Sequence, residues 1–219
     1  MTWLLVLASY FTGAFPTSYL AGRLARGIDL RQHGSGNLGA TNVFRVLGWK
    51  AATPVFMIDI FKGFAPTFFF PRLDGSLRWE WALAYGAAAI VGHVYSVYVR
   101  FKGGKGVATS AGVFLALAPW ALLVALVVWV TLVATTRIVS IASIVAALMV
   151  PPVVYLTRGV GPVLWLSLAL VAFVIWSHRT NIGRLLRGEE HRFGRGERGS
   201  SPDPGGRPGG SQPQPKEAS

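Results

Sequence analysis

The sequence predicts an all-α membrane protein, a bundle of about seven transmembrane helices with its N-terminus outside and its C-terminus cytoplasmic. Three observations carry that expectation. The 219-residue chain is 52% hydrophobic and only 14% charged, against roughly 25% charged in an ordinary soluble domain. Apolar runs at 3–22, about 51–71, 81–99, 107–135, 138–157 and 160–177 approach or exceed the roughly 18–20 residues that cross a bilayer. The charges are lopsided, 21 Lys+Arg against 9 Asp+Glu for a net +12, and they gather between the runs, as orientation by basic cytoplasmic loops requires. A basic balance suits nucleic acid or anionic lipid, and the apolar excess selects lipid, with no nucleic-acid partner. Cysteine is absent, which excludes disulfides, thiolate metal sites and cysteine nucleophiles.

Taken in order, the first run lacks a basic stretch before it, and Arg23, Arg26 and Arg31 follow it. It therefore reads as a retained span rather than a signal peptide, and the loop 23–50 is cytoplasmic. The loop 72–80 balances Arg72 and Arg78 with Asp74 and Glu80, which suits the outside. The segment around Arg100, Lys102 and Lys105 belongs inside, as does the end of the chain with Arg179, Arg184, Arg187, Arg192, Arg195 and Arg198. Six crossings would leave that end outside. A tight outer hairpin at Pro119-Trp120 within the run 107–135 restores the parity and returns the chain to the cytoplasm at Arg137. The stretch 107–118 then rises only about 18 Å against a hydrocarbon core of about 30 Å, so a five-crossing arrangement with one re-entrant segment stays open. Trp3, Trp49, Trp79, Trp81, Trp120, Trp165 and Trp176 fall near run ends, where amphipathic rings prefer the interface. The membrane domain spans 1–193. Residues 194–219, rich in Gly, Pro, Ser and Gln, form an expected disordered cytoplasmic tail, too poor in apolar residues to offset its ordering entropy.

Three polar, glycine-rich clusters interrupt the apolar chain, all on the cytoplasmic side of this topology. Ser35-Gly-Asn-Leu-Gly-Ala-Thr-Asn42, with Arg45 one helical turn on, has glycines that turn N–H groups into an anion nest and an arginine that grips phosphate bidentately; it equally suits an Asn/Gly turn capping a helix. Phe101-Lys-Gly-Gly-Lys-Gly-Val-Ala-Thr109 follows Gly92-His93. It lacks the Ser or Thr after its lysine that a nucleotide P-loop needs. What remains is a glycine loop feeding a helix N-terminus, with Lys105 as a point charge, or a plain basic turn. The third cluster, His178 to Glu190, reads either as an amphipathic juxtamembrane helix against anionic headgroups or as part of a site. If it is helical, His178 and Asn181 share a face.

Asp59 and Lys62 lie inside the second run, where each would cost roughly 2.5–3.5 kcal/mol facing lipid. At spacing i, i+3 they can neutralise each other, as a structural pair or as part of a ligand site. Ser140 and Ser143 follow Arg137 just inside the next run and can donate to the same place or pack. None of His33, His93, His178 or His191 has an Asp five residues on, so the His-x4-Asp pair of many glycerolipid acyltransferases is missing. A single intramembrane acid also makes a multi-Asp metal site hard to build.

Together, Ser35-Gly-Asn-x-Gly-Ala-Thr-Asn42, Gly92-His93 leading to Phe101-x-Gly-Gly-Lys-Gly-Val-Ala-Thr109, His178-x-x-Asn-Ile-x-Arg-Leu-x-x-Gly-x-Glu190, and between them Asp59-x-x-Lys-Gly63 and Arg137-x-Val-Ser-x-x-Ser143, resemble the bacterial integral membrane acyl-phosphate:glycerol-3-phosphate acyltransferases, the PlsY family, over about residues 3–190. The resemblance implies a seven-helix enzyme of the bacterial inner membrane with its active site facing the cytoplasm. It implies transfer of a fatty acyl group from acyl phosphate to the 1-hydroxyl of glycerol 3-phosphate, giving lysophosphatidate and phosphate, an early step of phospholipid synthesis that needs neither metal nor cofactor. On matching positions, Ser35, Arg45, Lys105 and Ser143 are expected to bind the phosphate of glycerol 3-phosphate. Gly39, Thr41 and Asn42, with Gly103 and Gly104, are expected around the acyl-phosphate head, Asn37 belongs to the substrate site, and His178 and Asn181 orient the attacking hydroxyl. The proton goes to His178 or to a substrate phosphate. An organic-phosphate transporter would use similar sites but needs access from both faces, and a lipid-binding anchor would not need Gly, Asn and Ser beside each basic residue.

Overall fold

The structure, a computed structural model, describes residues 1–75 and 79–192, and among these every regular element is a helix. The expected tail and Arg78 lie outside the described residues. Ten α-helices follow in order: α1 (Thr2–Ala14), α2 (Thr17–Arg26), α3 (Ala40–Leu47), α4 (Trp49–Leu73), α5 (Trp79–Val94), α6 (Val107–Leu117), α7 (Pro119–Thr136), α8 (Val139–Arg158), α9 (Pro162–Ser177) and α10 (Arg179–Leu186). Short 3-10 turns occupy Leu30–Gln32 and Val97–Val99.

The apolar runs set these helices, and prolines and glycines divide them. The first run, expected as one helix, is broken into α1 and α2. Pro16 has no N–H and drives Phe15 out of the helical region to φ −52, ψ 121. The run at 107–135 breaks at Ala118, with Pro119 opening α7. Among the described residues, four stretches are long and apolar enough to cross a membrane: 2–26, 80–99, 119–136 and 139–158. The pair α9 and α10, bent by 56°, passes the same test only when the two helices are taken together. The 25-residue α4 carries Asp59 and Lys62 on its buried side, and α6 has only 11 residues.

Close helix crossings are made by small residues. A Cβ on Gly63 would meet the Thr109 carbonyl, and one on Gly112 the Ile60 carbonyl, so α4 and α6 approach backbone to backbone. Gly13 and Gly92 do the same for α1 and α5 against Ala89 and Tyr10. Helices in lipid associate by such packing because the tails are as apolar as the side chains. One core joins α5 to α9 through Val113, Phe114, Ala121, Val154 and Val174, and a second gathers Leu30, Leu38 and Val43 under α3 and the start of α4. Trp3, Trp49, Trp120 and Trp165 are exposed, as side chains at an interface are.

Candidate functional site

The stretch between α2 and α3 is held from within. Asp29 accepts the Arg31 N–H at 3.0 Å and pairs with its guanidinium at 2.6 Å, which pulls the Asp29 carboxyl down to about 2. Arg31 also donates to the Val99 carbonyl at 3.2 Å, joining this loop to the one before α6. Asn42, 1% exposed, accepts the Ser35 N–H at 2.8 Å and donates to the carbonyls of His33 at 3.0 Å and Leu30 at 3.2 Å. Its amide therefore fixes the loop from within while Asn42 also lines the cavity. Gly34, at φ 61, turns where a Cβ would meet the Asn42 oxygen.

The second loop is hung from the end of α5. Gly103 N–H donates to the Val94 carbonyl at 3.0 Å and Gly104 N–H to the His93 carbonyl at 3.2 Å. A Cβ on Gly103 would meet those carbonyls, and one on Gly104 the His93 ring and the Leu38 carbonyl. These glycines serve close approach, and their N–H groups are engaged within the protein rather than open to a phosphate. Anion-seeking N–H groups come instead from the first turn of α6 after Gly106, where intrahelical acceptors are lacking.

The third element completes a polar network. Lys105 Nζ donates to the Asn181 amide oxygen, and Asn181 Nδ2 donates to Glu190 at 2.5 Å. Glu190 also accepts from Ser140 at 2.9 Å and Arg184 at 2.7 Å. Burial raises the Glu190 carboxyl, but hydrogen bonds from Asn181, Arg184 and Ser140 outweigh it and hold the group below its usual range. Lys105 is pulled down to about 8, mainly by burial, with Glu190 opposing and Arg184 and Arg45 assisting. His178, 3% exposed at the bend after α9, directs Nδ1 at the Val174 carbonyl at 2.8 Å. That contact puts the neutral ring's proton on Nδ1 and leaves Nε2 as the acceptor. Burial, then the Lys105 charge, draws His178 down to about 4.

Every sequence-predicted site residue, Ser35, Asn37, Gly39, Thr41, Asn42, Arg45, Gly103, Gly104, Lys105, Ser143, His178 and Asn181, lines one cavity of about 920 Å³. Its polar end holds Arg45, Lys105, Arg184 and His178. An apolar arm runs on between α6, α7, α8 and α9 past Phe114, Ala125, Trp129, Ala146 and Val150. Ser143 sits where the two parts meet, accepting the Trp129 N–H at 3.2 Å. Glu190 is the hub that residue reasoning left without a role. Its signal was the acidic pair Glu189-Glu190 in an otherwise basic stretch, with Glu190 six positions after Arg184. The arrangement suits a molecule with an anionic head and a long apolar tail, and a second anion beside it.

A family model described as glycerol-3-phosphate acyltransferase matches residues 3–188. The glycerol-3-phosphate acyltransferase of Prochlorococcus marinus (strain NATL2A) is 42% identical over 89% of this chain and 99% of its own. That of Desulforudis audaxviator is 48% identical over 87% and 94%. A crystal structure of PlsY (YgiH), an integral membrane glycerol 3-phosphate acyltransferase, in its glycerol 3-phosphate form, superposes with a TM-score of 0.79 at 39% identity, covering 88% of this chain and 96% of that one. Its lysophosphatidic acid form gives 0.80, over 88% and 95%.

Proposed function

The chain belongs to the glycerol-3-phosphate acyltransferase family of integral membrane enzymes, and from that premise we propose how its cavity carries out the transfer, with acyl phosphate as the donor. The protein is a membrane acyltransferase of phospholipid synthesis, acting on glycerol 3-phosphate. The observation that carries the reading is the single cavity joining a basic end to an apolar arm. An acyl phosphate has the matching shape, and glycerol 3-phosphate brings the second anion.

In this reading Arg45, Lys105, Ser35 and Ser143 take the phosphate of glycerol 3-phosphate. The first turn of α6, with Asn37, Gly39 and Thr41, faces the acyl-phosphate head. His178 Nε2 accepts a hydrogen bond from the 1-hydroxyl, and Asn181, holding Lys105, sets the distance between the cation and that imidazole. The hydroxyl oxygen attacks the acyl carbonyl carbon, the bond from that carbon to the phosphate oxygen breaks, and inorganic phosphate leaves. The hydroxyl proton passes to a substrate phosphate or to His178 Nε2, and in either case His178 orients the hydroxyl. The donor is already activated, so catalysis rests on proximity and on cations that offset the repulsion between two phosphates.

The same reading gives seven crossings: α1 with α2, then α4, α5, α6, α7, α8 and α9. The N-terminus is outside and the site faces the cytoplasm of a bacterial inner membrane. Residues 1–193 form the enzyme and 194–219 the tail.

The test is to incubate the purified, detergent-solubilised full-length protein with glycerol 3-phosphate and either palmitoyl phosphate or palmitoyl-CoA, without added metal, while following lysophosphatidate and phosphate. Product from palmitoyl phosphate alone is the expected result. Product from palmitoyl-CoA alone would overturn the donor assignment.

A further inference from the structure

Beneath the glycine loop lies a charged cluster that the transfer does not use. Asp59 and Lys62 of α4 pair at 2.7 Å, with side chains 1% and 5% exposed. Thr17, opening α2, donates to Asp59 at 2.5 Å. Lys62 donates to the Phe15 carbonyl at 2.8 Å. That carbonyl lies at the break before Pro16, where the negative end of the α1 dipole lacks helical donors. Ser96 donates to the neighbouring Ala14 carbonyl at 2.5 Å. On the other side of the cluster, His93 Nδ1 stands 3.8 Å from Asp59. The far edge of the same ring abuts Gly104, whose N–H is bonded to the His93 carbonyl. The chain of contact therefore runs from Lys62 through Asp59 and the His93 ring to Gly104, the residue before Lys105.

We propose that the buried Asp59–Lys62 pair, locked to the α1–α2 break by Thr17 and the Phe15 carbonyl, is a positioning element for the reaction, which seats the His93 ring against Gly104 and thereby fixes the Lys105 ammonium in the cavity. The inference rests on the acyltransferase reading and adds residues to it. A charged pair is a costly way to hold two apolar helices together, and an apolar replacement often serves stability as well. Two charges with directional partners set a backbone position that packing alone leaves looser.

The test is a double-mutant cycle on solubilised full-length enzyme, with Thr17→Val removing the Asp59 hydrogen bond and Asp59→Asn removing the charge, each alone and combined with Lys105→Ala. Each single variant is expected to lower kcat/KM for glycerol 3-phosphate by roughly tenfold while remaining monodisperse. Within the Lys105→Ala background the same changes should cost less than about twofold, because residues acting through one another are not additive. Equal losses in both backgrounds would overturn the proposal and leave the pair a scaffold, as would wild-type kinetics in Thr17→Val. Should Asp59→Asn fail to fold, the Thr17→Val cycle decides alone. A wild-type protein making no lysophosphatidate from either donor would instead overturn the acyltransferase reading.

Discussion

Lys105 donates to the amide oxygen of Asn181, a residue 76 positions further along the chain, and so the loop before α6 and the segment after α9 share one hydrogen bond inside the cavity. Through Asn181 the ammonium is also tied to Glu190, so the cation, the carboxylate and the imidazole of His178 form one electrostatic unit.

In the proposed reaction that unit is expected to set the alkaline limit of activity. Lys105 near 8 must stay protonated to neutralise phosphate, and kcat/KM reports the free enzyme. We expect kcat/KM to fall as pH rises through about 8. Lys105→Arg, which keeps its charge at all accessible pH, should abolish that limb whatever its absolute rate, and Lys105→Ala should lose roughly 10²–10³-fold at pH 7.

Glu190 raises the Lys105 pKa, so Glu190→Gln should move the alkaline limb to lower pH. The amide keeps the size and the Ser140 contact but removes the charge. A pH–rate profile of the variant checks the sign, and a limb that stays put or moves up contradicts it.

If His178 orients rather than takes the proton, a side chain that only accepts a hydrogen bond should serve in part. His178→Gln is expected to retain at least about ten times the turnover of His178→Ala. Equal collapse of both, at the roughly 10²–10⁴-fold typical of a lost general base, would restore the imidazole as base. Steady-state kinetics at saturating substrate separates the two.

Gly104→Ala should remove nearly all activity, because its methyl group would displace the His93 ring and the Leu38 carbonyl. Gly161→Ala, where a Cβ meets nothing within 4 Å, should leave turnover within about twofold. Lysophosphatidate formation by both variants, each checked for a single gel-filtration peak, gives the comparison.

The apolar arm should measure the acyl chain. Ala146, buried in the arm wall, sits one turn beyond Ser143. Ala146→Phe is expected to lower kcat/KM with palmitoyl phosphate by tenfold or more relative to decanoyl phosphate, since filling a close-packed site with extra carbons costs about 1–3 kcal/mol. An unchanged chain-length ratio would place the tail elsewhere.

The apolar runs, the break before Pro119 and the convergence of three glycine-bearing clusters were legible in the sequence, because hydropathy and glycine content are local properties. Less legible was what each glycine does. Gly103 and Gly104 read as anion-binding N–H groups, yet their donors point at His93 and Val94 carbonyls, which no local pattern announces. The bonds by which the Asn42 amide braces its loop are likewise unannounced by any local pattern. Asp59 and Lys62 could be paired by spacing, but their link to Thr17 depends on a helix break at Pro16 that a hydropathy window averages away. Glu190 is joined to Ser140 across 50 positions, a distance at which a single sequence carries no signal.

The cavity is polar at one end and apolar along its arm, and so the two substrates of the proposed reaction arrive from different solvents. Glycerol 3-phosphate is counted in moles per litre, whereas a donor with a fatty tail is counted as a fraction of the lipid or detergent around the protein. Adding empty micelles should therefore slow the enzyme at constant total donor while leaving its apparent affinity for glycerol 3-phosphate unchanged. After transfer the tail belongs to a product that stays in the bilayer while phosphate escapes to water, so each phase gives up one reactant and takes back one product.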